Sequence, residues 1–382
     1  MTFHVQVLTT SRADFGIYAS ALAAMASHPD LTPKLVVTGM HMSKRHGISL
    51  AAIEASPYPI AAKFKCLSEA DTPVEIARGM ARVTAGMSEV LEQNRPDLLL
   101  TLGDRFEMLA AALAAVPFAV PIAHIHGGEE TEGAIDNVFR HMLTKMSHLH
   151  FPATQTSADR IRQMGEAEDR IILAGAPALD SIAEIARVSA NDIKARFGLD
   201  ITKPFHLVTY HPVTLEPEVS MSELRNMLTV LDGIDDQIVI SGTNADTGGL
   251  SVAKEIEDFA AKKDNVILVD SFGAAAYYTV MHYAQSMIGN SSSGIIEAAS
   301  AGLPVVNIGA RQDGRERSAN VVDTVGTVAD IHAALNTAVA MRGQTFLNVY
   351  GQGNAGRCIA EGISNFLKSS PTARKRFADL AI

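Results

Sequence analysis

Short apolar runs alternate with alanine-rich amphipathic stretches along the first half of the chain. The runs predict strands at residues 5–9, 35–38, 97–102, 121–125, 148–151 and 171–173. The stretches between them predict helices that include residues 17–26, 73–93 and 106–115. Strands that are apolar on both faces and separated by helices indicate βαβ units, and therefore a parallel sheet covered on both sides.

The second half of the chain repeats this pattern. Strands are predicted at residues 206–210, 237–241, 266–269, 286–289 and 304–308, and helices at 221–231, 250–262, 274–284 and 294–301. Between the halves the chain turns polar, with a helix predicted at residues 182–197. We therefore predict two doubly wound α/β domains, residues 1–190 and residues 191–382, with the last helix packing back on the first domain.

The two halves share one local arrangement. In each half a strand ends in a sharp turn after a glycine, which is Gly103 in the first and Gly289 in the second. A helix follows, and then a strand opened by Pro121 or Pro304. Two similar domains facing a cleft would place both turns at the carboxyl ends of strands, where open α/β sheets bind ligands. Two unrelated α/β modules would also explain the similarity.

Composition and charge narrow the classes of protein. The 382 residues are 47% hydrophobic and 19% charged, which is typical of a globular chain, and the net charge of −10 argues against nucleic acid as a partner. Cys66 and Cys358 form no CxxC pair, so neither a disulfide framework nor a thiolate zinc site is expected. Without an apolar run of about 18 residues or a signal peptide, we expect a soluble, cytoplasmic protein with no membrane partner.

A glycine- and serine-rich turn is the strongest local signal. Residues 289–294 read GNSSSG, and a helix is predicted to begin within them. Backbone N–H groups and the hydroxyls of Ser291 and Ser292 would converge there on an anionic phosphate, although one serine alone would serve as an ordinary cap. Glu297 follows one turn later, where a carboxylate can accept hydrogen bonds from ribose hydroxyls.

Arginines follow other strands. Arg12 comes after the first strand, and Arg311 and Arg315 come after the last strand predicted in the second half. Arginine at a strand end suits a diphosphate, although a solvated surface charge is the commoner role. The first strand lacks a GxGxxG motif after it, so a dinucleotide cofactor is not expected.

Acidic and histidine side chains follow strands of the first half. Asp104 and Arg105 end one strand, His126 and Glu129 end the next, and Asp136 precedes a helix. The three carboxylates suit proton abstraction and donation. We expect no metal, because strand alternation explains the spacing of His124 and His126 and neither a thiolate nor a third histidine follows at ligand spacing. In the second half, His211, Asn244 and Asp246 end strands, where loop turns would explain the last two equally well.

Nine motifs occur in an order that resembles the hydrolysing UDP-N-acetylglucosamine 2-epimerases of bacterial sialic-acid-type sugar synthesis. They are SRADFG (11–16), VTGMH (37–41), LGDRFE (102–107), HIHGGE (124–129), IDNVFRH (135–141), HP (211–212), NADTG (244–248), GNSSSG (289–294) and RQDGR (311–315). The resemblance implies a glycosyltransferase-B-like fold of two Rossmann-like domains with the active site in the cleft. It also implies a homodimer or homotetramer.

The resemblance further implies conversion of UDP-GlcNAc and water to ManNAc and UDP, without a cofactor. Anti elimination would give 2-acetamidoglucal, and syn hydration would follow. Proton transfers would fall to Asp104, Glu129 and Asp136, with His126 standing where non-hydrolysing relatives carry glutamate. His211 would lie near the diphosphate, with Arg105 also at the substrate. The implied nucleotide contacts are Arg12, Asn244, Ser291, Ser292, Glu297 and Arg311, with Ser271 and Phe272 holding uracil through their backbone.

Other functions stay open at this point. The same reaction on a UDP-linked 2,4-diacetamido-2,4,6-trideoxyhexose, as in legionaminic-acid synthesis, needs only a different pocket around C4 and C6. A non-hydrolysing epimerase or a glycosyltransferase of the same fold would also bind a UDP-sugar. A non-catalytic sensor of sugar nucleotides would keep Arg12, Ser291 and Glu297 but would need neither Asp104 nor Asp136.

Overall fold

The structure is a computed structural model that describes residues 2–43, 50–68, 72–131, 135–184, 186–213, 216–242, 249–369 and 374–379. The chain divides into two compact units. The first unit comprises Met1–Glu130, Ile135–Ser181 and Tyr350–Ile382, and the second comprises Thr131–Ala134 and Ile182–Val349.

The described residues form the following strands: β1 (Phe3–Thr9), β2 (Leu31–Val37), β3 (Ile60–Lys63), β4 (Leu98–Leu102), β5 (Ile122–Ile125), β6 (Leu149–Phe151), β7 (Phe205–Thr209), β8 (Gln237–Ser241), β9 (Val266–Val269), β10 (Ser286–Gly289), β11 (Val305–Ile308) and β12 (Val321–Thr324).

The α-helices of the described residues are α1 (Arg12–Ser27), α2 (Leu50–Glu54), α3 (Pro73–Gln93), α4 (Phe106–Ala115), α5 (Asp136–Met146), α6 (Gln155–Gln163), α7 (Ala178–Glu184), α8 (Ala190–Phe197), α9 (Pro217–Asp232), α10 (Gly249–Ala260), α11 (Ala274–Tyr283), α12 (Ser292–Ile296), α13 (Val328–Ala340) and α14 (Ala355–Lys368). Among them, no helix combines the length and the apolarity that a membrane span requires.

Each unit contains one parallel six-stranded sheet with the strand order of a Rossmann fold. The first sheet has the strand order β3-β2-β1-β4-β5-β6, and the second has the order β12-β11-β10-β7-β8-β9. The two orders are the same when the second sheet is read from its β9 edge and its strands are numbered from β7. The direction of winding reverses between β1 and β4 in the first unit and between β7 and β10 in the second. Such switch points are where doubly wound sheets bind ligands. The predicted fold class of two Rossmann-like, doubly wound units is confirmed.

The sheets are covered on both faces, as their apolar strands require. Alternate residues of β7 point into different cores of the second unit: Phe205 and Leu207 belong to one cluster, and Val208 belongs to the other. The first unit has one large core to which β1, β4 and α14 contribute. Its helix α1 begins at the Ser11 cap, whose hydroxyl accepts from the backbone N–H of Asp14.

Helix α14 returns the chain to the first unit and packs against α1. Gly356 permits the approach, because a Cβ there would lie 2.5 Å from the backbone carbon of Ser20. The buried Asp180 caps this helix, accepting from the N–H groups of Ala355 at 2.9 Å and Gly356 at 2.6 Å.

Some predicted elements were wrong. Residues 171–173 form no strand, and only Ile171 bridges to His150. The predicted helix at 182–197 is two helices, because α7 ends at Glu184 and Ser189 caps α8. The edge strands β3 and β12 were not predicted, since their half-exposed side chains form no continuous apolar run. The helix predicted at 294–301 is the short α12 followed by a 3-10 turn, Ala298–Ala301.

Candidate active site

At the switch point of the first unit, the turn after β1 is held by hydrogen bonds to the side chain of Asp14. Asp14 is buried, and its Oδ2 accepts from the N–H of Thr10 at 3.1 Å and from the hydroxyl of Thr10 at 2.5 Å. This bonding holds the start of α1, from which the exposed Arg12 side chain extends. The turn therefore presents a guanidinium at the carboxyl edge of the sheet, where the sequence predicts a nucleotide contact.

The turn after β4 places a carboxylate and a guanidinium side by side. Gly103 adopts φ +68°, and Asp104 and Arg105 follow. The guanidinium of Arg105 donates to both carboxylate oxygens of Glu107, at 2.9 and 3.2 Å, and Glu107 is fully buried. Burial lowers the pKa of Arg105, but Glu107 and Asp14 raise it more, so the cation is retained.

The loop after β5, residues 126–130, positions His126 and Glu129. His126 adopts φ +62°, a left-handed conformation that is uncommon for a residue with a Cβ. Its Nδ1 lies 2.5 Å from Oε1 of Glu129, whose side chain is buried. His124 ties this strand to the neighbouring turn through the carbonyl of Gly103, at 2.7 Å, and burial lowers the pKa of His124 to about 3.

Arg140 of α5 joins the predicted acids. This buried side chain donates from Nη1 to the carbonyl of Glu129 at 3.0 Å, and from Nη2 to Oδ2 of Asp104. Burial raises the pKa of Asp136, at the start of the same helix, and the nearby charge of Asp104 raises it further. The structure therefore gathers Asp104, Glu129 and Asp136 into one cluster. Their surroundings differ, because Asp104 pairs with Arg140, Glu129 lies beside His126, and burial opposes the charge of Asp136.

Three members of this cluster were not assigned roles from the sequence: Glu107, Glu130 and Arg140. Glu130 accepts from Asn137 at 2.6 Å and from His141 at 2.9 Å, and it pairs with Arg160 at 3.3 Å. One signal was available for Glu107, since it is the one charged residue in the otherwise apolar α4. Glu130 had none, because its partners Asn137, His141 and Arg160 come from two different helices that have to fold together around it.

The switch point of the second unit is built around Asn290. A Cβ at Gly289, where φ is +135°, would lie 2.0 Å from the carbonyl oxygen of Thr209, so only glycine allows β10 to end this close to β7. Asn290 is buried, accepts from the N–H of His211 at 2.7 Å and donates to its carbonyl at 2.8 Å. Burial and the charge of Arg311 lower the pKa of His211 to about 3, so this imidazole is neutral.

The predicted phosphate contacts meet at this edge. Ser291 caps α12, with Ser292 as the first helical residue. Arg311 donates to the carbonyl of Asn290 at 3.1 Å, and Gln312 donates to the same oxygen at 2.9 Å. Nε and Nη1 of Arg315 are buried and have no hydrogen-bond partner within the described part of the chain. The edge thus brings two arginines, two serine hydroxyls and a neutral histidine to the end of β7, β10 and β11.

The residues predicted to contact the nucleoside lie away from the turn around Asn290 or outside the described residues. Glu297 accepts from the hydroxyl of Tyr278 at 3.2 Å, and burial raises the pKa of its carboxyl. Ser271 and Phe272 follow the edge strand β9. Phe272 is buried against Phe197, with ring centroids 4.9 Å apart, so only its backbone is available to a base. Asn244 and Asp246 lie outside the described residues.

Metal ligands form no cluster in the part of the chain that the structure describes. No group of three or more His, Cys, Asp or Glu side chains there is arranged to hold a metal ion. The donors of the first unit are engaged with cations instead, as Asp104 with Arg140 and Glu107 with Arg105 show.

Comparison with known proteins identifies the class. Residues 23–364 match the family described as UDP-N-acetylglucosamine 2-epimerase, and the chain belongs to that family. The family predicted from the motifs is confirmed.

Two relatives define the branch. The chain is 35% identical over 352 residues to the UDP-N,N'-diacetylbacillosamine 2-epimerase (hydrolyzing) of Legionella pneumophila, covering 92% of this chain and 93% of the relative. It is 32% identical over 320 residues to the GDP/UDP-N,N'-diacetylbacillosamine 2-epimerase (hydrolyzing) of Campylobacter jejuni, covering 83% of each. This protein is a nucleotide-sugar epimerase of the hydrolysing 2-epimerase family.

A solved structure supports the fold. The UDP-GlcNAc 2-epimerase from Neisseria meningitidis bound to UDP-GlcNAc superposes with a TM-score of 0.80 at 18% identity, covering 95% of this chain and all of that one. At this identity the likeness concerns the fold alone.

Proposed function

We propose that this protein converts UDP-N,N'-diacetylbacillosamine and water to UDP and the free 2-epimer, 2,4-diacetamido-2,4,6-trideoxymannose. The proposed substrate rests on the sequence identity of 35% and 32% to two hydrolysing enzymes that are named for that sugar. UDP-GlcNAc is the second candidate, since the family description that matches residues 23–364 names that sugar.

The first unit supplies the acid–base groups. The C2 hydrogen of the sugar is a weak acid, so its removal has to be coupled to departure of the diphosphate from C1. A carboxylate of the Asp104, Glu129 and Asp136 cluster takes the C2 proton, and the C1–O bond breaks with its electrons going to UDP. Burial raises the pKa of Asp136, whereas Asp104 is ion-paired with Arg140, so the two acids have different environments and suit different roles in proton transfer.

Hydration completes the reaction. A second group of the cluster returns a proton to C2 from the opposite face, and water adds to C1 after giving its own proton to a carboxylate. The pair of His126 and Glu129 suits this step, because a carboxylate and an imidazole within hydrogen-bonding distance, here 2.5 Å, can act together as a general base. The overall balance is one water consumed and one UDP released, with no change of oxidation state.

The second unit supplies groups for the nucleotide. Ser291, Ser292, Arg311 and the neutral His211 are proposed to hold the diphosphate, where donors and positive charge stabilise the leaving group. Glu297 and Asn244 are proposed to contact the uridine, with the backbone of Ser271 and Phe272 at the base. Arg12 and Arg105 of the first unit are proposed as further substrate contacts.

Proton NMR in D₂O tests this function with two substrates run in parallel, UDP-N,N'-diacetylbacillosamine and UDP-GlcNAc. The expected result is free sugar deuterated at C2, with UDP released and the diacetamido substrate consumed faster. Faster turnover of UDP-GlcNAc would assign the second candidate. An epimerised UDP-sugar as end product would exclude hydrolysis, and UDP binding without turnover of either substrate would favour a sensor.

A further inference from the structure

A buried ionic cluster lies at the opposite end of α5 from Asp136. Glu166 is 3% exposed and is the only carboxylate that the described contacts place in it. The carboxylate accepts from Lys145 at 2.8 Å and from His150 Nε2 at 3.1 Å, and it pairs with Lys375 at 2.7 Å. Although burial raises its pKa, these three donors bring the pKa of Glu166 down to about 2.

Lys375 belongs to a short C-terminal segment, residues 374–379, which we call the C-terminal strap. Besides its bond to Glu166, the ammonium donates to the carbonyls of Lys145 and Ser147, at 2.5 Å each. Those carbonyls end α5, where the helix dipole is negative and the last oxygens have no partner within the helix. Lys375 therefore caps the carboxyl end of α5.

The strap is held by more than charge. The ring of Phe377 lies against Gly165, where a Cβ would come within 2.3 Å of it, and φ is +78°. The ammonium of Lys145 lies 4.4 Å from the centre of that ring. The N–H of Ala378 donates to the carbonyl of Gly165 at 2.9 Å. These contacts give the strap one register on the first unit.

Helix α5 needs such an anchor because its apolar contact is modest: apart from the buried Leu143, the partly buried Phe139 and Met146 pack against the core of the first unit. Its buried side chains are Arg140, Leu143 and Thr144, whereas Val138 is 58% exposed and Met142 is 46% exposed. Polar contacts fix its amino end through Arg140 and Asp104. The strap fixes its carboxyl end, and an 11-residue helix about 16 Å long transmits a shift at one end to the other.

We propose that Lys375 is a positioning residue, which acts through α5 to hold Asp136 and Arg140 against Asp104. The inference rests on the proposed function, because it assigns α5 to the reacting site. Loss of the ammonium would leave three acceptors without their common donor and would loosen the helix end. Catalysis is sensitive to such shifts, since a misplacement of about 1 Å costs about 100-fold.

The test compares Lys375→Met and Lys375→Arg with a matched control, Lys368→Met. Lys368 pairs with Asp30 at 2.5 Å, so its loss also removes a C-terminal lysine–carboxylate contact, but one with no contact to α5. Hydrogen–deuterium exchange of residues 136–146 is measured without substrate, and kcat and KM are measured with both candidate sugars. We expect Lys375→Met to exchange at least 5-fold faster in α5, with kcat lowered by about 5- to 50-fold and KM within twofold. Lys375→Arg should restore both, and Lys368→Met should match the wild type.

Unchanged exchange of α5 in Lys375→Met would overturn the proposal, as would faster exchange spread evenly over the whole first unit. A lower kcat with normal exchange would also contradict it, since the residue would then act by another route. Faster exchange of α5 alone, in a protein whose wild type turns over neither sugar, would support the anchoring and reject the proposed function instead.

Discussion

Asp136 is held in an environment that opposes its charge. Burial and the neighbouring Asp104 both raise its pKa, so the folded protein retains this proton more tightly than the unfolded chain does. The stability that comes from the proton is present below the unfolded pKa of about 3.9 and is lost as the pH rises through the folded value. An ionised Asp136 therefore destabilises the first unit at neutral pH.

Asp136→Asn should consequently raise the melting temperature at pH 7, by roughly 1–3 °C, while lowering turnover. The gain should shrink towards pH 3.5, where the aspartate is mostly protonated in both states. Melting curves from pH 3.5 to 8 check this. The control is Asp192→Asn, an exposed acid in the first turn of α8, which should give no gain. A lower melting temperature for Asp136→Asn at pH 7 would contradict the role of burial.

Glu297 is the residue-scale test of the nucleotide site. Its carboxylate accepts from Tyr278, and we propose that it also accepts from ribose hydroxyls. Glu297→Gln should weaken UDP binding about 10-fold, because hydrogen bonds to a charged group contribute about 1.5–3 kcal/mol. Titration calorimetry with UDP measures this. Tyr278→Phe removes one of the protein partners of the same carboxylate and should change affinity by less than threefold. Equal losses would place Glu297 outside the nucleotide site.

Candidate site residues could be predicted from the sequence where they flank a strand or a helix. They could not be predicted where the side chain is placed by a contact with a residue far away in sequence. Asp104 and Glu129 stand out because they follow predicted strands, and Asp136 because it precedes a predicted helix; the structure gathers all three. Arg140 links them, but a lone arginine on an amphipathic helix is usually solvated, so nothing local marked its burial. The roles of the three acids stay predictions.

At the scale of elements, the loop of residues 126–130 has little freedom. Gly128 has φ +76°, and a Cβ there would lie 2.3 Å from the carbonyl oxygen of Ser157. Its own carbonyl accepts from Arg160. The loop that carries His126 and Glu129 therefore packs closely on α6, and position 128 has no room for a side chain.

Gly128→Ala should lower both stability and turnover, the first by about 2 kcal/mol or more, since neither the backbone angle nor the Ser157 carbonyl can give way easily. Gly198→Ala is the matched control: φ is +77° there, but no heavy atom lies within 4 Å of the added Cβ. It should cost about 1 kcal/mol and leave turnover near wild type. Urea unfolding and initial rates separate the two cases, and equal effects would show that only the backbone angle matters.

Helices and strands with a clear hydrophobic pattern in their own sequence were predicted well, and those without one were not. Helices α3 and α4 match their predicted bounds, as do strands β8 to β10. The edge strands β3 and β12 and the C-terminal strap were missed for a common reason: they are stabilised by pairing or by ion pairs with another element. Neither leaves a periodic pattern in its own sequence.

At the scale of the whole molecule, the two units are proposed to divide the work between acid–base chemistry and nucleotide binding. Asp104→Asn should therefore lower turnover by at least about 100-fold and leave UDP affinity within twofold. Arg311→Met should weaken UDP binding by at least about 10-fold, and it should lower turnover as well, because this arginine is also proposed to stabilise the leaving diphosphate. Parallel kinetics and calorimetry on the two variants decide the matter. Comparable losses of turnover and affinity in Asp104→Asn would mean that the first unit also binds the nucleotide strongly.

The return of α14 to the first unit sets the order in which the protein is completed during synthesis. When residue 349 has been made, the whole continuous segment of the second unit, Ile182–Val349, is present. The first unit at that moment still lacks Ile359, Ile363 and Phe366, which complete its core beside α1. Domains usually finish in the order of synthesis. Here the unit that begins the chain is the last to be finished, and its apolar α1 face has to be kept from aggregating until the final helix leaves the ribosome.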